Sequence, residues 1–260
     1  MLASHGIGQI KRLKFKSQTG RFAMGPIMAM IRNWKSISLE IDISVHNLNW
    51  NLTDSADTLA FKYITHIRFG ENTPVRSSVM CKINTIFPEL QVASFKYVSF
   101  GDDVNNLTHR DYLHKSGMYE MSQKSPRLRS LEISACAENV ASAEEIRKEI
   151  SALFFSLIHN SPQLQSFSYN YVDSSRCPLY YACRHYNRLF CAAQELGPGK
   201  WKGVANRSLR SLKLSGWTLE WDMLTTDGYK FELPNVVEVE VTNCTSVRKE
   251  ASLVNTFAGA

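Results

Sequence analysis

Between positions 177 and 191, Cys177, Cys183, His185 and Cys191 could offer three thiolates and an imidazole to a metal ion. Zinc sites hold such ligands at close, paired spacings, and intervening gaps of five, one and five residues fit neither a finger nor a ribbon. Cys183 also falls on an apolar helical stripe with Leu179, Tyr186, Phe190 and Ala193, which gives it a packing role. His109 and His114, with Asp111 between them, are five apart, a spacing that turns the two rings to opposite sides of a helix. Cys183 and His185 point apart for the same reason, so they do not form a nucleophile and base. The chain has no GxxxxGK[ST] phosphate loop, no HExxH and no GxSxG turn. The expectation is a protein that is not an enzyme and carries no cofactor and no metal.

Basic and aromatic residues interleave at Arg184, His185, Tyr186, Arg188 and Phe190, and again at Lys200, Trp201 and Lys202. Such mixtures suit single-stranded nucleic acid, but Tyr186 and Phe190 already serve the helical stripe. The net charge is +6, and Lys11, Arg12, Lys14, Lys16 and Arg21 all precede the first acidic residue, Glu40. That basic end keeps a nucleic-acid partner open as the alternative to a protein partner. With 44% hydrophobic and 21% charged residues the chain is neither disordered nor collagenous. Its longest apolar stretches, such as Ala152 to Ile158, are too short to span a bilayer, and its N-terminus places charges where a signal peptide would be apolar. Six cysteines without paired spacing fit reduced thiols, so an intracellular protein, cytoplasmic or nuclear and without a membrane partner, is expected. The sequons at Asn51, Asn106, Asn206 and Asn243 are then coincidental.

The elements that position these side chains follow a recurring phrase: an apolar residue, two others, an apolar residue, one other, an apolar residue. It occurs as Ile10/Leu13/Phe15, Trp34/Ile37/Leu39, Ile64/Ile67/Phe69, Leu90/Ala93/Phe95, Leu128/Leu131/Ile133, Leu164/Phe167/Tyr169, Leu209/Leu212/Leu214 and Val236/Val239/Val241, at steps of 24, 30, 26, 38, 36, 45 and 27 residues. Four anchors have a proline two residues before them: Pro88, Pro126, Pro162 and Pro234. Three residues after the last apolar member, Asn72, Cys136 and Cys244 recur. Between the phrases the period lengthens to that of a helix. Ser142 and Glu145 make a capping box ahead of Ile146, Ile150, Leu153, Phe154, Leu157 and Ile158. Val75, Val79, Ile83 and Ile86 mark a second helix, Leu179 to Ala193 a third, and Leu219 to Thr225 a weaker one.

LRSLEISAC at Leu128–Cys136 and VVEVEVTNC at Val236–Cys244 resemble the LxxLxLxxN/C phrase of leucine-rich repeats. From Ile10 to Cys244 the chain resembles the repeat region of eukaryotic F-box/leucine-rich-repeat proteins, with no F-box visible. The resemblance implies an α/β solenoid, a horseshoe with a parallel concave sheet and helices on the convex side. It also implies the work of a substrate-recruiting component of a ubiquitin ligase, with a cullin adaptor among its partners. The expected organisation is a single repeat domain over residues 1–260, with about eight irregular repeats and no terminal caps.

Strand alternation then assigns the concave face. The expected strands are Arg12–Lys16, Ser36–Glu40, Thr65–Phe69, Val92–Lys96, Arg129–Ser134, Gln165–Asn170, Arg210–Ser215 and Val237–Thr242. Their outward residues run from basic Arg12, Lys14 and Lys16, through His66, Arg68, Lys96, Glu132 and Lys213 among serines, to acidic Glu238 and Glu240. These ten residues are the candidate partner-binding site, for a protein of opposite charge gradient.

Overall fold

A proline two residues ahead of an apolar anchor has a defined conformational job. In a computed structural model, which describes residues 11–23, 39–49, 63–70, 73, 75–76, 83, 86–100, 125–137, 154, 157–172, 188–190, 203–220 and 230–246, Pro88, Pro126, Pro162 and Pro234 each take the second place of a four-residue turn. The anchor's N–H closes each turn, Leu90 onto the Phe87 carbonyl (3.2 Å), Leu128 onto Ser125 (3.1 Å), Leu164 onto Ser161 (2.9 Å) and Val236 onto Leu233 (3.2 Å). Proline suits that place because its φ is preset and its missing N–H is not needed there. The chain leaves each turn extended.

The described strands, in chain order, are β1 (Arg12–Ala23), β2 (Leu39–Asn49), β3 (Ile64–Phe69), β4 (Val75–Arg76), β5 (Val92–Phe100), β6 (Ser130–Ala137), β7 (Ser166–Tyr171), β8 (Arg188–Phe190), β9 (Gly203–Ala205), β10 (Ser211–Ser215), β11 (Thr218–Glu220), β12 (Lys230–Glu232), β13 (Glu238–Thr242) and β14 (Thr245–Ser246). The protein is an α/β protein built on one open sheet. Its eight principal strands lie side by side in the order β1-β2-β3-β5-β6-β7-β10-β13, and β4 adds a short parallel pairing to β5. Every pairing in this sheet is parallel. Among the described residues no antiparallel hairpin joins neighbours, as parallel strands need a crossover of a dozen or more residues between them.

The register stacks the repeated phrase row on row. One apolar row is Leu13, Ile41, Ile67, Ala93, Leu131, Phe167, Leu212 and Val239; the next is Phe15, Ile43, Phe69, Phe95, Ile133, Tyr169, Leu214 and Val241. From β2 to β10 all the residues in these rows are buried, as are the anchors Ile64, Leu90, Leu128, Leu164 and Leu209. Each such side chain larger than Ala93 contributes roughly 1.5 to 3 kcal/mol by leaving water. Behind the sheet, Phe154 stacks on Phe167 (5.6 Å between centroids), and Trp217 stacks on Tyr169 at 5.0 Å. The Trp217 indole N–H donates to the Tyr169 carbonyl (2.8 Å), so this buried polar group is satisfied.

Seven of the eight strands lie within two residues of their expected starts, and the second needs correction. Arg12 pairs with Glu40, and Glu40 with His66, so Ile41 and Ile43 occupy the core rows in place of Ile37 and Leu39. Ser36–Ile37–Ser38 and the anchor Trp34 lie outside the described residues. The physical cause is alternation itself: LEIDI offers the same period with its core residues four positions later and with acidic side chains to face the cations of β1.

The helical expectations fare unevenly. Ile83, Ile86, Phe154 and Leu157–Ile158 are helical and buried, with most of their segments outside the described residues. In contrast, Arg188–Phe190 and Thr218–Glu220, expected on helices, are strands. β8, β11 and β14 form a second parallel sheet, and β9 with β12 a third. Pairing with the equivalent segment of the next unit overrides local period in these short stretches.

The last two units repeat with one constant step. Ser211 meets Glu238, Lys213 meets Glu240 and Thr218 meets Thr245, each 27 residues on. Gly203 of β9 meets Lys230 of β12 at the same step. The chain turns out of β10 at Gly216 (φ +77°) and out of β13 at the equivalent Asn243 (φ 54°). A Cβ on Gly216 would lie 3.3 Å from Tyr171, so glycine serves both the left-handed backbone and the close approach. Asparagine tolerates the same conformation at the sheet edge.

Candidate functional site: the polar face of the sheet

Alternation along each strand carries the residues between the core positions to the opposite face. The register groups them into two rows. The first runs Arg12, Glu40, His66, Val92, Ser130, Ser166, Ser211, Glu238; the second runs Lys14, Asp42, Arg68, Ser94, Glu132, Ser168, Lys213, Glu240. The fold therefore brings the ten expected residues onto one face, with Lys16 and Lys96 one step further along their strands. Asp42 belongs there too, and the displaced second phrase hid it.

Between a basic edge at β1 and an acidic edge at β13, the charges of the second row alternate in sign, and ion pairs cross strands at both ends of the face. Arg12 reaches both Glu40 (3.7 Å) and Asp42 (3.5 Å). Lys213 sits between Glu238 (3.2 Å) and Glu240 (2.7 Å), and the Ser211 hydroxyl donates to Glu238 (2.6 Å). The Glu240 and Glu238 hydrogen bonds push the Lys213 ammonium above its ordinary pKa, and Ser211 and then Lys213 hold Glu238 below the usual carboxylate range. Among the described residues no ion pair joins Lys14 or Lys16 to a neighbour.

Glu132 is a partly enclosed charge near the middle of the face. Ser94 donates to its Oε2 at 2.7 Å and Lys96 donates to its Oε1. Burial works to raise its pKa, but the hydrogen bonds from Lys96 and Ser94 and the charges of Lys96 and Arg68 outweigh that, leaving it below the ordinary value. Two of the serines on this face, Ser94 and Ser134, are buried. His66 is partly exposed and its Nδ1 lies 2.8 Å from the Thr65 hydroxyl.

No protein-family model, curated protein or solved structure matches the chain.

Two further features bear on chemistry. Cys244 is half-buried at the trailing position of its unit; burial pushes its thiol up, against the backbone N–H groups of Trp217 and Gly216, so it is a poor nucleophile at neutral pH. Among the described residues no cluster of three His, Cys, Asp or Glu could hold a metal, and no helix is long and apolar enough to cross a membrane. Cys177, Cys183, His185 and Cys191 lie outside the described residues, as do His109, Asp111, His114, Asn72 and the Lys200–Lys202 segment; the Cys136 side chain is likewise not described.

Sequence reasoning missed Asn206. It is buried, and its amide donates to the carbonyls of Ile158 (2.8 Å) and Ser161 (2.9 Å) while its oxygen accepts the N–H groups of Ser208 (2.9 Å) and Leu209 (3.0 Å). Its unit has Arg207 where four others have proline, and the Asn206 side chain makes the turn that proline makes elsewhere. The missing proline before Leu209 was the available signal.

Proposed function

We propose that this chain is a non-enzymatic recognition scaffold of the leucine-rich-repeat type, a horseshoe that holds a protein partner on the polar face of its parallel sheet. The observation that carries the reading is the two-row ribbon of polar side chains, spread across eight parallel strands. Rows of this kind present many side chains at fixed spacing without ordering cost at the moment of binding. The central strands carry small serines (Ser130, Ser166, Ser168, Ser211), which leave room for a partner's own side chains, while charged pairs to either side set its register. The phrases at Leu128–Cys136 and Val236–Cys244 extend the reading to the substrate-recruiting part of an intracellular ubiquitin ligase.

The test is affinity capture by the 260-residue chain, compared between two variants of equal added charge. Ser166→Arg with Ser168→Arg fills the middle of the face and is expected to abolish capture of specific protein partners. Ala205→Arg with Glu232→Gln alters the two-stranded sheet of β9 and β12 and is expected to leave capture intact. Equal losses from both would refute the face as the site. Capture that depends on RNA and weakens steeply with salt would favour the basic β1 end and a nucleic-acid partner instead.

A further inference from the structure

We propose that the two edges of the eight-stranded sheet are complementary halves of one interface, through which β13 of one copy of this chain pairs in parallel with β1 of the next. This inference is independent of what the polar face binds. It starts from burial. Leu212 and Leu214 are fully buried in β10, but the equivalent Val239 and Val241 of β13 are only partly covered, and so are Leu13 and Phe15 of β1. Val237, 86% exposed, stands where five of the other seven units carry Lys11, Gln91, Arg129, Gln165 or Arg210. Among the described residues no strand pairs with the outer side of β1 or β13, so both edges leave some apolar surface in water, and an edge strand also presents backbone groups ready for a further strand.

The charges select the occupant. Continuing the sheet's register past β13 sets Glu238 beside Arg12 of the next copy, Val239 beside Leu13, Glu240 beside Lys14 and Val241 beside Phe15. Each acidic residue then meets a cation, and each half-covered apolar residue meets another. Like edges repel: β1 against β1 opposes lysines, and β13 against β13 opposes glutamates. The backbone agrees with this arrangement. The Arg129 N–H donates to the Gln91 carbonyl, Gln165 to Arg129 and Arg210 to Gln165 (2.8 Å each), and Val237 to Arg210 (2.9 Å). The next rung is the Val237 carbonyl, and Lys11 of the following copy stands in the equivalent place to donate to it. Because the two surfaces differ, the association is head-to-tail and grows into a ring or an open filament.

Sedimentation velocity of the 260-residue chain over a wide concentration range tests this, with circular dichroism to check folding. Assembly beyond a dimer, weakened by salt, is expected. Lys14→Glu lowers the net charge of +6 by two units and Glu240→Lys raises it by two. Each alone should weaken assembly by about tenfold or more, since each sets like charges face to face. An equimolar mixture of the two variants should recover it, because each then offers the other an oppositely charged edge. A monomer at every concentration, a dimer that does not grow, indifference to both variants, or a mixture no better than its parts would each overturn the proposal.

Discussion

Removing the Asn206 amide strands the Ile158 carbonyl and the buried Leu209 N–H and takes one partner each from Ser161 and Ser208, so Asn206→Ala should destabilise the protein by about 2 to 4 kcal/mol in urea denaturation. Leu212→Ala, which empties a core position, should cost about 2 to 5 kcal/mol by the same measurement. These two side chains differ in how readable they are. Leu212 belongs to a phrase repeated eight times, whereas the Asn206 latch depends on carbonyls at Ile158 and Ser161 that come near only in the fold. Glu132 is legible as a face residue, but its enclosure by Ser94, Lys96 and Arg68 is not, since those residues lie one and two strands away. Its depressed pKa means that the carboxylate's stabilising contribution is complete above the ordinary carboxyl pKa of about 4.3 and is lost as pH falls through the lower folded value. Urea midpoints measured between pH 6 and pH 2 should therefore fall more steeply for the natural protein than for Glu132→Gln.

At the scale of elements, Gly216 and Asn243 end β10 and β13 with the same left-handed residue, yet their surroundings differ. Gly216→Ala should cost about 1 to 3 kcal/mol, through its positive φ and the approach to Tyr171, while Asn243→Gly should leave stability within about 1 kcal/mol. Thermal unfolding of the two variants checks this contrast. The strands of the main sheet were readable because an apolar row must recur wherever a strand stacks on its neighbour. β2 was misplaced because WKSISL and LEIDI both alternate, and only pairing with β1 chooses between them. β8 and β11 were unreadable for a related reason. At three residues apiece they are too short to show a period, and their strand character comes from lying beside each other.

At the scale of the whole molecule, successive strands in sequence are neighbours in the principal sheet from β1 to β13, with β8, β9, β11 and β12 set aside in their own sheets. Stability in such an array is a sum of units and the contacts between adjacent units, so a local loss need not spread to distant strands. The constant step joining β9 to β12, β10 to β13 and β11 to β14 carries this further. Residues 210–236 amount to one complete period, and excising them would splice Leu209 directly to Val237. The shortened protein keeps an anchor followed by Val239 and Val241, and β13 then lies against β7 as β10 does now. It should fold, with the same circular dichroism per residue and a lower melting temperature, whereas a cut of half that length would leave every downstream side chain with no matching row. The molecule is in this sense dispensable by the whole unit and intolerant of fractions.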